Sequence, residues 1–254
     1  IVLAWALCWL ATPIVTLLLR SLRPGGQWSL GGYRTLFDTA DGAASLWYSV
    51  TSALLAMVIA LLVGTATAIA MVRRRDVVGT AAGALAILPL GISAVTLGFG
   101  YVLLSAHLPR AVFASPLLIP SVQALIAIPL VIGLVAPALA QVPARRRDAA
   151  AVLGAGPIRV FCTVDLPMIG RPLAAAAGFA FVMAIGEFGA TTFLARSETT
   201  TLPVLIGTLM GRPGADNLAA AMAVSVLLVA VSALAVLLVE AAAPRRTSEG
   251  TARR

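Results

Sequence analysis

Glu187 is the residue of this chain best suited to bind a cation or a proton in an apolar environment. It lies 14 positions beyond Leu173, or about 21 Å along a helix at ~1.5 Å per residue, past the middle of a segment predicted to span a membrane. A carboxyl group there is costly unless it faces protein or water, so we interpret Glu187 and its neighbour Thr191 as residues of a translocation path. A carboxyl group that locks two helices together is the structural alternative.

A second distinctive stretch covers residues 148–167, DAAAVLGAGPIRVFCTVDLP, which is too polar for a membrane span and too patterned for a plain linker. Ala149 and Ala150 favour a short helix, and Gly154 breaks it. Pro157 can open a second short helix, because its missing N–H is not needed in the first turn. The pattern predicts a helix-turn-helix docking surface, and an amphipathic loop lying on lipid headgroups is the alternative.

The second short helix of this stretch is predicted to end at Leu166-Pro167. Its apolar side chains fall on one side and its charged side chains elsewhere: Val160, Phe161 and Val164 on the first side, Arg159 and Asp165 away from it.

Other polar residues offer less chemistry. Gln123, together with Ser93, Thr96 and Ser121, could line a cavity between two spans, although chance polar positions explain them nearly as well. The single His and the two separated Cys residues predict no metal site. The sequence contains no Gly-Lys-Ser/Thr phosphate loop and no His-Glu-x-x-His or Gly-x-Ser-x-Gly motif, so neither P-loop ATP binding nor hydrolase chemistry is predicted.

Composition predicts the class of protein that must position these residues. The 254 residues are 60% hydrophobic and 11% charged, and their mean hydropathy is +1.01. Globular domains carry about 25% charged residues, so the chain is predicted to be an all-α polytopic membrane protein. The net charge of +8 is attributed to membrane topology, and no nucleic-acid partner is predicted. Six spans are expected, at about 1–19, 46–72, 77–105, 116–140, 173–194 and 217–242, and Pro89 is expected to kink the third.

The arginines predict the orientation of these spans. One set of loops holds twice as many as the other: Arg73 to Arg75, Arg145 to Arg147, Arg159, Arg171, Arg245, Arg246, Arg253 and Arg254, against Arg20, Arg23, Arg34, Arg110, Arg196 and Arg212. The positive-inside rule places the richer set in the cytoplasm. The loop 145–171 and the polar tail 245–254 are therefore predicted to be cytoplasmic.

The spacing within residues 148–167 resembles the EAA loop of binding-protein-dependent ABC importer permeases. The matching positions are Asp148-Ala149-Ala150, Gly154 three residues later, Val164 nine residues after that, and Leu166-Pro167. The family has Glu where this chain has Asp148 and usually Ile where it has Val164, and both changes keep the chemical type. The resemblance implies a coupling helix between spans four and five that docks on a cytoplasmic ABC ATPase dimer.

Three further segments look like the ferric-iron and thiamine branch of these permeases: Gly186 to Thr191, Thr200 to Val204, and Arg212 to Asn217. The resemblance implies a non-enzymatic inner-membrane transport subunit, with ATP bound by its partners, a second permease half and an extracytoplasmic solute-binding protein. It implies that residues 1–244 form one permease domain. This domain is either the C-terminal half of a fused permease or a separate subunit. Ferric iron is the first expected solute and thiamine the second. An ion-coupled secondary transporter or channel that uses Glu187 is the competing class.

Overall fold

The computed structural model describes residues 2–38, 40–73, 77–107 and 109–242. Over these ranges all regular secondary structure is helical. The helices are α1 (Val2–Leu22), α2 (Gly31–Asp38), α3 (Ala40–Arg73), α4 (Val77–Ile87), α5 (Ala94–Ser105), α6 (Arg110–Phe113), α7 (Leu118–Ala140), α8 (Ala144–Val152), α9 (Pro157–Val160), α10 (Leu166–Ile185), α11 (Thr191–Leu194), α12 (Leu202–Gly211) and α13 (Ala215–Ala242). The predicted tail 245–254 and the predicted cytoplasmic residues Arg74 and Arg75 lie outside the described residues.

Five helical segments of the described chain are long and apolar enough to cross a membrane, and a sixth results if the bent pair α4–α5 counts as one span. The five segments are Trp5–Leu22, Gly42–Arg73, Leu118–Ala140, Pro157–Ile185 and Ala215–Ala241. The all-α polytopic fold is therefore confirmed.

Helices α3, α7 and α10 form the centre of the bundle and pack against one another most extensively. Small side chains recur on their facing sides at helical spacing: Ala53, Ala56 and Ala60 on α3, Ala124 and Ala127 on α7, and Ala176, Ala180 and Ala184 on α10. Small residues let helix backbones approach closely, which is the main way to gain packing energy in lipid. Gly64 shows how close the approach is, because a Cβ there would lie 2.7 Å from Val131 Cγ1.

The third predicted span, 77–105, is two helices and not one kinked helix. Helices α4 and α5 have 11 and 12 residues, and their axes are bent by 102°. A 3-10 turn at Leu88–Gly91 ends α4, and Ile92 and Ser93 are extended, with ψ of 133° and 138°. Two extended residues break the hydrogen-bond ladder, whereas a proline kink alone would have left the helix continuous.

The fifth predicted span, 173–194, begins earlier and ends earlier in the structure. The helical segment runs from Pro157 to Ile185, and Leu166-Pro167 does not stop it. A π turn at Phe161–Asp165 precedes Pro167, which lies in the first turn of α10. The wider π turn relieves the clash that a proline ring makes with the preceding turn, so the helix continues.

Candidate functional site

The loop between α7 and α10 turns sharply after α8. Gly154 has φ of +81°, a left-handed conformation that residues with a Cβ rarely adopt. Gly156 is extended and caps α9, and Pro157 stands in the first turn of α9, where its missing N–H costs nothing. The predicted break at Gly154 and the predicted helix start at Pro157 are confirmed.

The seven residues predicted to form the coupling surface divide into two groups. Exposed residues are Asp148, Ala149, Gly154 and Pro167, and half-buried residues are Ala150, Val164 and Leu166. Val164 packs against the central core of the bundle. Helix α8 and its turn therefore present a free surface, while the stretch that follows ties this surface to the bundle.

Three large apolar side chains stand out from this surface. Val152 and Leu153 are each 87% exposed, and Ile158 is 80% exposed. We call these three residues the apolar tip. Exposed apolar side chains on an otherwise polar loop indicate an interaction surface. Val152 and Ile158 were not predicted to have this role, although their position on either side of the Gly154 turn was the available signal in the sequence.

Behind the apolar tip lies a fully buried carboxylate, Asp165, which is 0% exposed. Arg147 of α8 donates from Nε to Asp165 Oδ1 at 2.6 Å, and Arg73 at the end of α3 forms a second ion pair with Oδ2. Arg147 also donates from Nη2 to the carbonyl oxygen of Leu139 in α7, at 3.0 Å. We call Arg73, Asp165 and Arg147 the two-arginine clamp, and it joins α3, α7, α8 and the π turn.

Asp165 was predicted to lie away from the apolar side of its helix, and this prediction was wrong. Asp165 is the last residue of the π turn, and the extra residue of that turn changes which side chains face the bundle. Burial of the carboxylate is made tolerable by two cations, because a buried charge requires close partners. One partner is 92 positions away along the chain, so local spacing could not have indicated the clamp.

Glu187 lies in the turn after α10, not within a long helix as its predicted position implied. The residue is 8% exposed, and its carboxylate accepts two backbone hydrogen bonds, from Ala190 N–H at 2.7 Å and Thr191 N–H at 2.9 Å. The Thr191 hydroxyl donates to the Glu187 carbonyl oxygen at 2.8 Å. Both carboxylate oxygens therefore stabilise the start of α11, as the side chain of a capping residue does.

Gln123 joins three helices and connects to the same turn. Its Nε2 donates to the carbonyl oxygen of Ala184 at 2.9 Å, and its Oε1 accepts from Ser52 at 2.7 Å. The Ala184 carbonyl also accepts from Glu187 N–H at 3.2 Å. The structure thus brings Glu187, Thr191 and Gln123 into one buried hydrogen-bond network. By contrast, Ser93, Thr96 and Ser121 are exposed.

Helix α5 rests on the Glu187 turn through close backbone contacts. A Cβ on Gly98 would lie 2.7 Å from Ala190 Cα and 2.8 Å from its carbonyl oxygen. A Cβ on Gly189 would lie 3.0 Å from Ala94 Cβ. The second half of the bent pair α4–α5 therefore packs directly on the turn that Glu187 stabilises.

The described residues contain no group of three or more His, Cys, Asp or Glu side chains that could hold a metal ion. The polar network at Glu187 is closed by backbone groups, and the clamp at Asp165 is closed by arginines. What the site offers is an exposed surface, a charged anchor behind it, and a buried turn beneath a bent pair of helices.

Comparison with known proteins identifies relatives of this chain. It is 28% identical over 170 residues to the thiamine transport system permease protein ThiP of Brucella abortus, a match that covers 66% of this chain and 31% of the relative. It is 36% identical over 115 residues to the molybdenum transport system permease protein ModB of Escherichia coli, covering 44% and 50%. The chain thus spans about a third of the first relative's length and half of the second's.

A solved structure shares the fold. A bacterial alginate ABC transporter, in complex with a periplasmic protein bound to an alginate pentasaccharide, matches with a TM-score of 0.74 and 18% identity, over 98% of this chain and 93% of that one. The family model for binding-protein-dependent transport system inner membrane components matches residues 84–248. The predicted resemblance to ABC importer permeases, including the thiamine branch, is confirmed, as is the prediction of a transport component that is not an enzyme. The chain belongs to the family of binding-protein-dependent transport system inner membrane components.

Proposed function

We propose that this chain is the membrane permease subunit of an ABC importer and that its α8–α9 loop docks on a cytoplasmic ATPase. The observation that carries the proposal is the apolar tip, which stands exposed on a sharply turned loop in a member of this family. Burying such side chains against a partner is favourable, at roughly 25 cal/mol per Å² of apolar surface. Asp148, Ala149, Ala150 and Gly154 form the small-residue surface beside the tip.

The remaining predicted coupling residues have a different part in this proposal. Val164, Leu166 and Pro167 connect the docking surface to α10 through the π turn. A displacement of the loop then reaches a helix of the central core. ATP is bound and hydrolysed by the partner ATPase dimer, so this chain needs no cofactor of its own.

Residues 1–244 form one six-span permease domain in this proposal, with the loop and the C-terminal tail in the cytoplasm. The excess of arginine in that set of loops supports the orientation. A second permease half completes the path, and an extracytoplasmic binding protein delivers the solute. The periplasmic protein in the alginate transporter complex supports this last partner.

We place three residues behind the helices that line the path, where they set its shape: Glu187, Thr191 and Gln123. Their network is buried between α3, α7, α10 and the α5 contact. We propose that it holds the Glu187 turn in position while α5 moves over it. The path itself switches between two packings of the helices and involves no bond chemistry.

The solute class is a small solute of the kind that the named relatives carry. Thiamine was the second of the two solutes expected from the sequence, and it has support from the Brucella permease. Molybdenum transport by the Escherichia coli relative adds molybdate as a candidate. Ferric iron, the first expectation, has no support among these relatives, so thiamine and molybdate should be tested before it.

Co-purification tests the docking surface. The permease is extracted from membranes with the ATPase of the same transporter, as wild type and as Gly154→Arg. A Cβ at Gly154 meets nothing within 4 Å, so arginine there projects from the surface without a clash in the core, and the strain it adds at φ of +81° is confined to the turn. We expect the ATPase to be lost from the variant, and equal recovery from both proteins would contradict the docking role.

Two matched variants separate docking from side effects. Gly154→Asn keeps a residue that tolerates positive φ, and it should retain the ATPase. Gly211→Arg places the same bulky cation at an exposed glycine of α12, where a Cβ also meets nothing within 4 Å, and it should also retain the ATPase. Absence of the ATPase from the wild type would instead favour an ion-coupled carrier, and Glu187→Gln would then be the first variant to test for transport.

A further inference from the structure

Helix α8 has little hydrophobic attachment to the bundle. None of its residues is buried, and its main neighbours are α9 and the π turn. Its strong polar links run through Arg147, which bonds Asp165 at 2.6 Å and the Leu139 carbonyl at 3.0 Å. Movement of α8 is therefore tied to movement of the long helices mainly through these polar bonds.

Asp165 also holds an irregular point of the helical segment Pro157–Ile185. It ends the π turn at Phe161–Asp165, where the ordinary helical hydrogen-bond pattern is interrupted. π turns are local irregularities at which a helix can bend or shift. The ion pair with Arg73 holds this turn against the end of α3.

We propose that Asp165 is a positioning residue that transmits movement between α8 and the ends of α3 and α7. This inference rests on the proposed function, since it concerns how a docked ATPase acts on the bundle. Both oxygens of one buried carboxylate are engaged by cations from two different helices, so a displacement of α8 displaces α3 with it. Without the carboxylate, the π turn and the loop absorb the displacement.

The charge is what suits this role. Apolar contacts are non-directional and allow sliding, whereas charge-assisted hydrogen bonds require fixed geometry. Asp165 is fully buried, while Arg73 and Arg147 keep 30% and 20% exposure of their side chains. The carboxylate is therefore fixed in the interior, and the two arginine side chains reach it from the surface.

The test uses the complete transporter, reconstituted in nanodiscs with its ATPase and with its binding protein as purified from cells. The measured quantity is the ratio of ATP hydrolysis with the binding protein to hydrolysis without it. The clamp lies between α8, where the ATPase is proposed to dock, and the long helices, so the inference predicts that stimulation by the binding protein depends on it. For Asp165→Asn we expect unchanged ATPase co-purification and loss of most of the stimulation, by about fivefold or more.

A purely structural anchor predicts a different result. Stimulation would then be normal in the folded fraction of Asp165→Asn, and only the yield of folded transporter would fall. That outcome overturns the inference and leaves the proposed function standing. A wild-type permease that recovers no ATPase overturns both.

A second pair of variants keeps the test independent of how well Asp165→Asn folds. Arg147→Gln removes one arm and leaves the Arg73 pair with Asp165. Arg146→Gln removes the neighbouring charge. Among the hydrogen bonds described, the Arg146 side chain makes one, to the Met168 sulfur at 3.5 Å. We expect stimulation to fall in Arg147→Gln and to persist in Arg146→Gln. Equal behaviour of the two variants would overturn the inference.

Discussion

Two buried carboxylates of this chain are stabilised in opposite ways. Asp165 is held by side-chain cations from α3 and α8, which lie 92 and 18 positions away in the sequence. Glu187 is held by backbone N–H groups three and four positions away. The first arrangement fixes separate helices relative to one another, and the second fixes the shape of one turn. Burial of an acidic residue therefore does not by itself indicate an ion-binding site.

The same difference separates what each residue can influence. Loss of the Asp165 carboxylate releases the ion pairs that hold α3 and α8 to the π turn, whereas loss of the Glu187 carboxylate releases the start of α11. The comparison predicts that variants of the first residue affect the whole loop and that variants of the second are local. Four substitutions test this difference.

Asp165→Ala should have the largest effect. It leaves two arginines without their partner, and breaking a buried ion pair typically costs 3–5 kcal/mol. Because Arg73 and Arg147 are partly exposed and can reach water, we expect about 3 kcal/mol of lost unfolding free energy, measured by SDS titration from mixed micelles. A loss below about 1 kcal/mol would show that the clamp is no stronger than a surface ion pair.

Gly98→Val should rank second, because it disturbs the Glu187 turn from outside. A Cβ at Gly98 would lie 2.7 Å from Ala190 Cα, and overpacking of this kind costs about 1–3 kcal/mol. Gly100→Ala, on the same helix, is the matched control, since a Cβ there meets nothing within 4 Å. The control should be neutral or slightly stabilising by the same SDS titration, and equal losses would argue against the α5 contact.

Glu187→Gln should cost less, about 1–2 kcal/mol, because the amide oxygen can still accept one of the two backbone hydrogen bonds. The unfolding free energy again measures the effect. The variant also tests the competing ion-coupled carrier. Complete loss of solute uptake in a fully folded Glu187→Gln protein would favour that carrier over a role in shaping the turn.

Thr191→Val should have the smallest effect of the four. It removes one hydroxyl hydrogen bond to the Glu187 carbonyl and keeps the size of the side chain, so about 1 kcal/mol is expected. Thermal unfolding of the purified variant, followed by fluorescence-detected size exclusion, measures the loss. A larger loss than that of Glu187→Gln would mean that the hydroxyl, and not the carboxylate, holds the turn.

Local sequence signals were accurate where local geometry decides the structure. Gly154 forms the left-handed turn and Pro157 opens the following helix, as their intrinsic preferences require. Long apolar runs gave the spanning helices, because a helix satisfies all its backbone hydrogen bonds within one segment when it lies in lipid. The family relationship also followed from a local pattern, the spacing from Asp148 to Pro167.

Local signals failed where two preferences competed. Pro167 was expected to end a helix, but the π turn before it accommodates the ring and the helix continues. Pro89 was expected to kink a span, yet extended residues at 92–93 separate two helices, and the angle between their axes is 102°. In both places the outcome depends on how neighbouring helices pack. A local stretch of a few residues does not determine that packing.

The membrane class, the presence of long apolar helices, the turn at Gly154 and the family of the chain all followed from the amino-acid sequence. Packing of the folded chain was needed to place Asp165 between Arg73 and Arg147 and to let Gln123 bridge Ser52 and Ala184. These partners are far from one another along the chain. Helix and turn preferences act over a few residues, whereas a buried polar group must be matched by whichever partner the packed helices bring to it.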